Sequence, residues 1–93
     1  MKNYELLYIV DASLADDKRE ALIEKVTALV TNNGGEAEEP EKWGVRKYAY
    51  PINFKNEGYY VLINFKAEAR VPEIMNKTLL ITDGIVRHMI VAK

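Results

Sequence analysis

The chain contains no cysteine. Disulfide scaffolds, thiolate metal sites and cysteine nucleophiles are therefore excluded, and the composition fits a reducing compartment. Histidine occurs once, at His88, and a lone histidine cannot form a metal cluster, so no metal site and no cofactor is expected. No apolar run approaches the ~20 residues of a membrane span. The start, Met1-Lys2-Asn3-Tyr4-Glu5, lacks the apolar centre and cleavage site of a signal peptide, so a cytoplasmic chain with no membrane partner is expected. Charge of one sign is missing as well: 13 basic residues face 14 acidic ones, for a net charge of −1. Such a chain does not hold nucleic acid by bulk attraction. Any polyanion site has to be a local patch, shared with another protein. With no internal repeat, linker or low-complexity tail, the 93 residues read as a single domain, 1–93.

What the chain does have is one stretch of concentrated chemistry, Trp43-Gly44-Val45-Arg46-Lys47-Tyr48-Ala49-Tyr50-Pro51-Ile52-Asn53. It sets an indole, two tyrosines and two adjacent cations in an extended segment. Gly44 permits a bulge or a close backbone approach. Pro40 and Pro51 cannot donate ladder hydrogen bonds, which predicts a strand at the edge of its sheet. Arg46 and Lys47 offer charge to a phosphate.

Around this stretch the pattern is regular. Tyr4–Val10 alternates with both faces largely apolar and reads as a central strand. A helix from about Asp16 buries Leu22, Ile23, Val26, Leu29 and Val30, and stops at Asn32-Asn33-Gly34-Gly35. Asp16 and Asp17 could be read as an acid–base or metal couple, but a solvated first turn matched to the positive end of the helix dipole is the favoured reading. The Trp43 stretch is the second strand, and Phe54 to Glu57 turns back. Gly58–Phe65 is a second central strand, rich in β-branched and aromatic residues. Val71-Pro72-Glu73 opens a second helix, with Met75, Leu79 and Leu80 pointing inward, closed by Thr82-Asp83-Gly84. Ile85–Val91 is the last strand, with His88 part-buried. The order βαββαβ is that of an α+β, ferredoxin-like split βαβ fold. It implies a four-stranded antiparallel sheet, order 4-1-3-2, with both helices on one face.

The other face is then bare. If Leu6 and Ile63 point at the helices, Leu7, Ile9, Tyr60 and Leu62 point away, forming an apolar patch larger than monomers usually expose. A protein partner, a second copy or stacked bases would each cover it. Only Tyr60 supplies an outward ring on the central strands, whereas an RNA-recognition motif needs two or three, so base stacking is the less favoured option. An acylphosphatase-like hydrolase on the same fold would need an anion-cradling glycine-rich loop, and Asp11-Ala12-Ser13-Leu14-Ala15 has no glycine and is acidic. A metal carrier would need a thiolate pair. A small-molecule sensor has no motif in its favour.

From end to end the chain resembles the bacterial small-subunit ribosomal protein six family. The match begins at the basic residue before Tyr4-Glu5. It continues through Trp43-Gly44, Arg46-Lys47 and Tyr48-Ala49-Tyr50-Pro51-Ile52 to Gly58-Tyr59. It closes with Asp83 before a strand carrying Arg87, Met89 and Val91. The C-terminal tail of some members is missing, and Lys2 stands where Arg is commoner. The resemblance implies a non-enzymatic component of the small ribosomal subunit. It would bind the central domain of the small-subunit ribosomal RNA together with small-subunit ribosomal protein eighteen and act on no small-molecule substrate. It implies Lys2, Arg46, Lys47 and Arg87 as phosphate or partner contacts, with Lys55 and Lys93 as weaker ones. Trp43, Tyr48 and Tyr50 are open to core or interface; an indole is more often core, and Tyr50 is the better interface candidate. The alternative is another non-catalytic ferredoxin-like module that binds RNA or senses a ligand.

Overall fold

The computed structural model describes the backbone of residues 1–52 and 55–93 and the side chains of residues 1–47 and 57–93. Strand β1 (Lys2–Asp11) leads through a tight turn into helix α1 (Asp16–Asn32). Two residues, β2 (Glu36–Ala37), then pair briefly before the long β3 (Glu41–Ile52). A hairpin returns as β4 (Lys55–Ala67), followed by helix α2 (Val71–Leu80) and β5 (Ile85–Ala92). All pairings are antiparallel. β4 and β1 are central, β5 flanks β1, and β2 and β3 share the far side of β4. This is the ferredoxin-like arrangement expected from the element order, with β3 at an edge.

The expected four strands are five. The chain from Glu36 to Ile52 is one edge strand broken in the middle, and Pro40 supplies the reason, since it has no N–H to donate to the ladder. Glu38 N still donates to Asn64 O at 2.9 Å, and regular pairing resumes with Glu41 opposite Leu62. β4 also begins earlier than expected: Lys55 to Glu57, read as turn, already pair with β3.

Both helices cover the same sheet face, because the two central strands present an unbroken apolar row to it. Tyr4, Leu6, Tyr8 and Val10 of β1 and Val61, Ile63, Phe65 and Ala67 of β4 are buried there. They meet Leu22, Ile23, Val26 and Val30 of α1 and Val71, Met75 and Leu79 of α2. Leu80 does not join them. The buried stripe of α2 runs i, i+4, i+8 through Val71, Met75 and Leu79, so the next residue falls about 100° off it. Leu80 is accordingly 76% exposed.

Two positions test this packing. Gly35 sits where α1 hands over to the sheet. A Cβ there would lie 2.8 Å from Val30 Cγ1 and 2.9 Å from the backbone oxygen of Lys66. The oxygen belongs to a central strand and cannot retreat, so Gly35→Ala is expected to cost about 1–3 kcal/mol, read from urea denaturation. An unchanged midpoint would show that the helix and sheet can part there. Tyr8 is fully buried and its hydroxyl finds no hydrogen-bond partner among the described residues. Burial first, then the charge of Glu20, pushes its phenol far above the ordinary 10.0. A folded-state value raised in this way stabilises the fold below the unfolded phenol's pKa and gives that contribution up as pH rises past it. Tyr8→Phe is expected to leave stability at pH 7 within about 1 kcal/mol of the parent. It should also flatten the fall in stability above pH 10.0, measured by denaturation across the alkaline range. Parallel alkaline curves for the two proteins would contradict this.

Candidate nucleic-acid and partner interface

Strand register assigns each side chain to a face, and the uncovered face is built from rows across the sheet. One row runs Met89–Leu7–Leu62–Glu41, and the next Arg87–Ile9–Tyr60–Gly44. Leu7, Ile9, Tyr60 and Leu62 thus lie away from the helices. The apolar surface is nevertheless smaller than expected, because Ile9 and Leu62 are buried. Each stands on a central strand flanked on both sides by side chains of its neighbours, Arg87 and Tyr60 for Ile9, and Leu7 and Glu41 for Leu62, which screen it from water. The most exposed aliphatic groups of this face lie instead toward the β5 edge: Met89 is 58% and Val91 44% exposed. Sequence reasoning left these out of the patch, although their alternation with His88 and Ile90 was the available signal.

At the opposite edge β3 carries one residue more than its partner. Lys42 faces Val61 and Gly44 faces Tyr60, which leaves Trp43 between them without an opposite number. Gly44 has φ 85°, the left-handed region that other residues adopt only at a cost. The extra residue changes the parity of the strand. Lys42 points to the helix side, where its Nζ donates to both carboxylate oxygens of Glu20 at 2.9 and 2.8 Å. That bond, ahead of all else, holds the Lys42 ammonium above its ordinary pKa. Trp43 and Arg46, three apart and on opposite faces in an unbroken strand, come to the same open face. The Arg46 guanidinium lies over the indole, 5.4 Å from its centroid. Trp43 is 43% exposed, so of the two places left open for it, core and interface, the core is ruled out: the bulge turns it outward.

The expected cations do not gather in one place. Arg46 and Lys47 are both exposed but alternate to opposite faces, Arg46 across from Gly58 and Lys47 across from Glu57. Arg87 shares the open face with Arg46 but stands on the other edge, roughly 16 Å away over three strand spacings and two residues along the strand. Lys2 lies at the far end of β1, across from Ala67. Near it Lys66 and Lys93 line a basin of about 560 Å³ together with Glu36 and Glu38, so their charge is locally balanced. The side chains of Tyr50 and Lys55 lie outside the described residues, as does that of Tyr48.

His88 lies on the helix side, hydrogen-bonded through Nε2 to Asn76 Oδ1 at 3.0 Å, and burial lowers its pKa. The turn after β1 is closed by Ser13, whose N–H and hydroxyl both donate to Asp11 Oδ1. A carboxylate therefore occupies the position where a phosphate-cradling loop would need donors.

Comparison with known proteins decides the family. Residues 3–92 match the model of the family described as ribosomal protein S6. The chain belongs to the ribosomal protein S6 family. It is 47% identical over 91 residues to the small ribosomal subunit protein bS6 of Clostridium novyi (strain NT), covering 98% of this chain and 96% of that one. The bS6 protein of Clostridium acetobutylicum is 41% identical over 92 residues, covering 99% and 97%. The crystal structure of 30S ribosomal protein S6 from Thermotoga maritima superposes with a TM-score of 0.93 at 27% identity, covering 99% of this chain and 87% of that one. Membership makes this a structural, non-enzymatic protein of the small ribosomal subunit in the cytoplasm.

If the open face is surface and not core, substitutions on it leave folding intact. Met89→Glu is expected to change the free energy of unfolding by less than about 0.5 kcal/mol in urea denaturation. A loss above about 2 kcal/mol would mean that the chain packs on this face itself.

Proposed function

We propose that this member of the S6 family binds the central domain of the small-subunit ribosomal RNA jointly with small-subunit ribosomal protein eighteen. The observation that carries this reading is the sheet face opposite the helices. It presents exposed Met89 and Val91 beside Leu7 and Tyr60, with Arg87 and Arg46 at its two rims. An aliphatic surface flanked by cations suits a protein contact in the middle and phosphates at the margins. The net charge of −1 agrees with a shared site, in which a basic partner supplies most of the long-range attraction.

The contacts assigned to this role are Lys2, Arg46, Lys47, Arg87, Tyr50 and Lys55 for RNA or partner, and Leu7, Ile9, Tyr60 and Leu62 for the partner. Of these, Arg46 and Arg87 are best supported, because both are exposed and share the open face. Ile9 and Leu62 are least accessible and serve as the floor of the surface.

The test is RNA binding by the pair against binding by protein eighteen alone, over a range of salt. The pair is expected to bind more tightly, and Arg46→Ala or Arg87→Ala to lower the slope of log affinity against log salt by about one unit each. A pair that binds no better than protein eighteen alone removes the reading. An unchanged slope removes that arginine from the phosphate contacts.

A further inference from the structure

The open face is chemically divided along its width. Its β5–β1 half carries Met89, Val91 and Leu7 with Arg87 as its only strand cation and no ring, whereas its β4–β3 half carries Tyr60, Trp43 and Arg46 beside Glu41 and the buried Leu62. From this division, and resting on the RNA-binding reading above, we infer that Trp43 and Tyr60, with Arg46 between indole and solvent, form a stacking platform for unpaired RNA bases.

The bulge builds the platform. Tyr60 is the one ring that the central strands turn outward, and a single ring is a poor platform. The extra residue in β3 brings the indole to the same face, next to the register position of Tyr60. The residue directly across from Tyr60 is Gly44, which has no side chain, and a Cβ built there would meet nothing within 4 Å. A planar group can therefore approach the backbone between the rings.

Arg46 supplies the second half of the chemistry. Its guanidinium stacks over the indole at 5.4 Å, and among the described residues no carboxylate pairs with it. A guanidinium held over a ring and unpaired among the described residues can stack on a base and donate to its phosphate. Glu41, one row along on the same face, disfavours a phosphate on its side. The backbone of the bound strand is thereby directed toward Arg46, with one base stacked on the guanidinium that caps Trp43 and the next on Tyr60. A protein segment would find aliphatic surface on the other half of the face; here it would meet a ring, a cation and bare backbone.

Trp43 is the only tryptophan of the chain, so its emission reports on its own surroundings. The experiment uses the full chain with protein eighteen and a fluorescein-labelled central-domain RNA, reading RNA binding by anisotropy and the indole by its emission. Trp43→Phe serves as the blank for any indole of the partner. RNA is expected to quench Trp43 in step with the rise in anisotropy. Trp43→Leu and Tyr60→Leu should each weaken binding about tenfold, with Trp43→Phe within about threefold of the parent. Thermal melts of the variants separate lost contact from lost folding. Quenching and the Trp43→Phe comparison stand even if a leucine variant fails to fold. RNA bound at full affinity with unchanged Trp43 emission overturns the platform and leaves the RNA-binding reading intact. Emission that shifts on adding protein eighteen and does not respond to RNA also overturns it, because the indole is then a protein contact. Flat anisotropy for the parent pair removes the reading itself, and the platform with it.

Discussion

Both helices lie on one side of the sheet, and a β-strand sends successive side chains to opposite sides. Together these two facts govern the molecule. Every even-numbered residue from Tyr4 to Val10 is committed to the helices, and every odd-numbered one is committed to whatever lies outside. A one-residue slip of β1 against β4 would exchange Leu6, Tyr8 and Val10 for Glu5, Leu7 and Ile9 in the core. The cost of burying Glu5 is what pins the register. The stacked pair of Tyr4 and Phe65, with centroids 5.5 Å apart, pins it again at the other end.

The ladders also shift at Ile9/Val10 and between Lys47 and Ile52, but at Trp43 and Gly44 the interruption of the alternation has a chemical consequence. Before the interruption, Lys42 reaches across to Glu20 and ties the edge strand to α1. After it, Arg46 lies outward over the indole. The exposed ion pair contributes little to stability on its own. Its value is geometric, because it fixes the face to which β3 commits before the bulge and therefore the face on which the indole emerges. A glycine at φ 85° is the means by which the backbone makes that change at low cost.

The fold was legible because its determinants are local. Two-sided apolar alternation marked β1 and β4 as central, prolines marked the edge, and helical spacing marked the stripe of α1. What was not legible depends on parity and on neighbours. Pro40 was read as an edge signal, but that it breaks the strand into β2 and β3 follows from the ladder resuming one turn of the pleat later. Trp43 was left open between core and interface, with core the commoner place for an indole, and the count of one extra residue decides against core. Ile9 and Leu62 were expected to be exposed because they lie on the open face. Their burial arises from the side chains of the adjoining strands, which a linear pattern does not display. Leu80 was drawn inward by its apolarity, although the spacing Val71–Met75–Leu79 had already filled the stripe.

Near-neutral charge and a role inside a ribonucleoprotein are compatible once the positions of charge are considered apart from their sum. Arg46 and Arg87 stand on the same face at opposite edges, and neither is neutralised by a carboxylate among the described residues. Cations held by a rigid sheet at a fixed spacing fix the orientation of a phosphate backbone, even when they add little to its long-range attraction. Lys66 and Lys93 are a different case, because they share the basin at the far end with Glu36 and Glu38 and the charge there is of mixed sign. The face on which each cation lies, and whether carboxylates stand beside it, is what selects one side of this small sheet as the proposed contact surface.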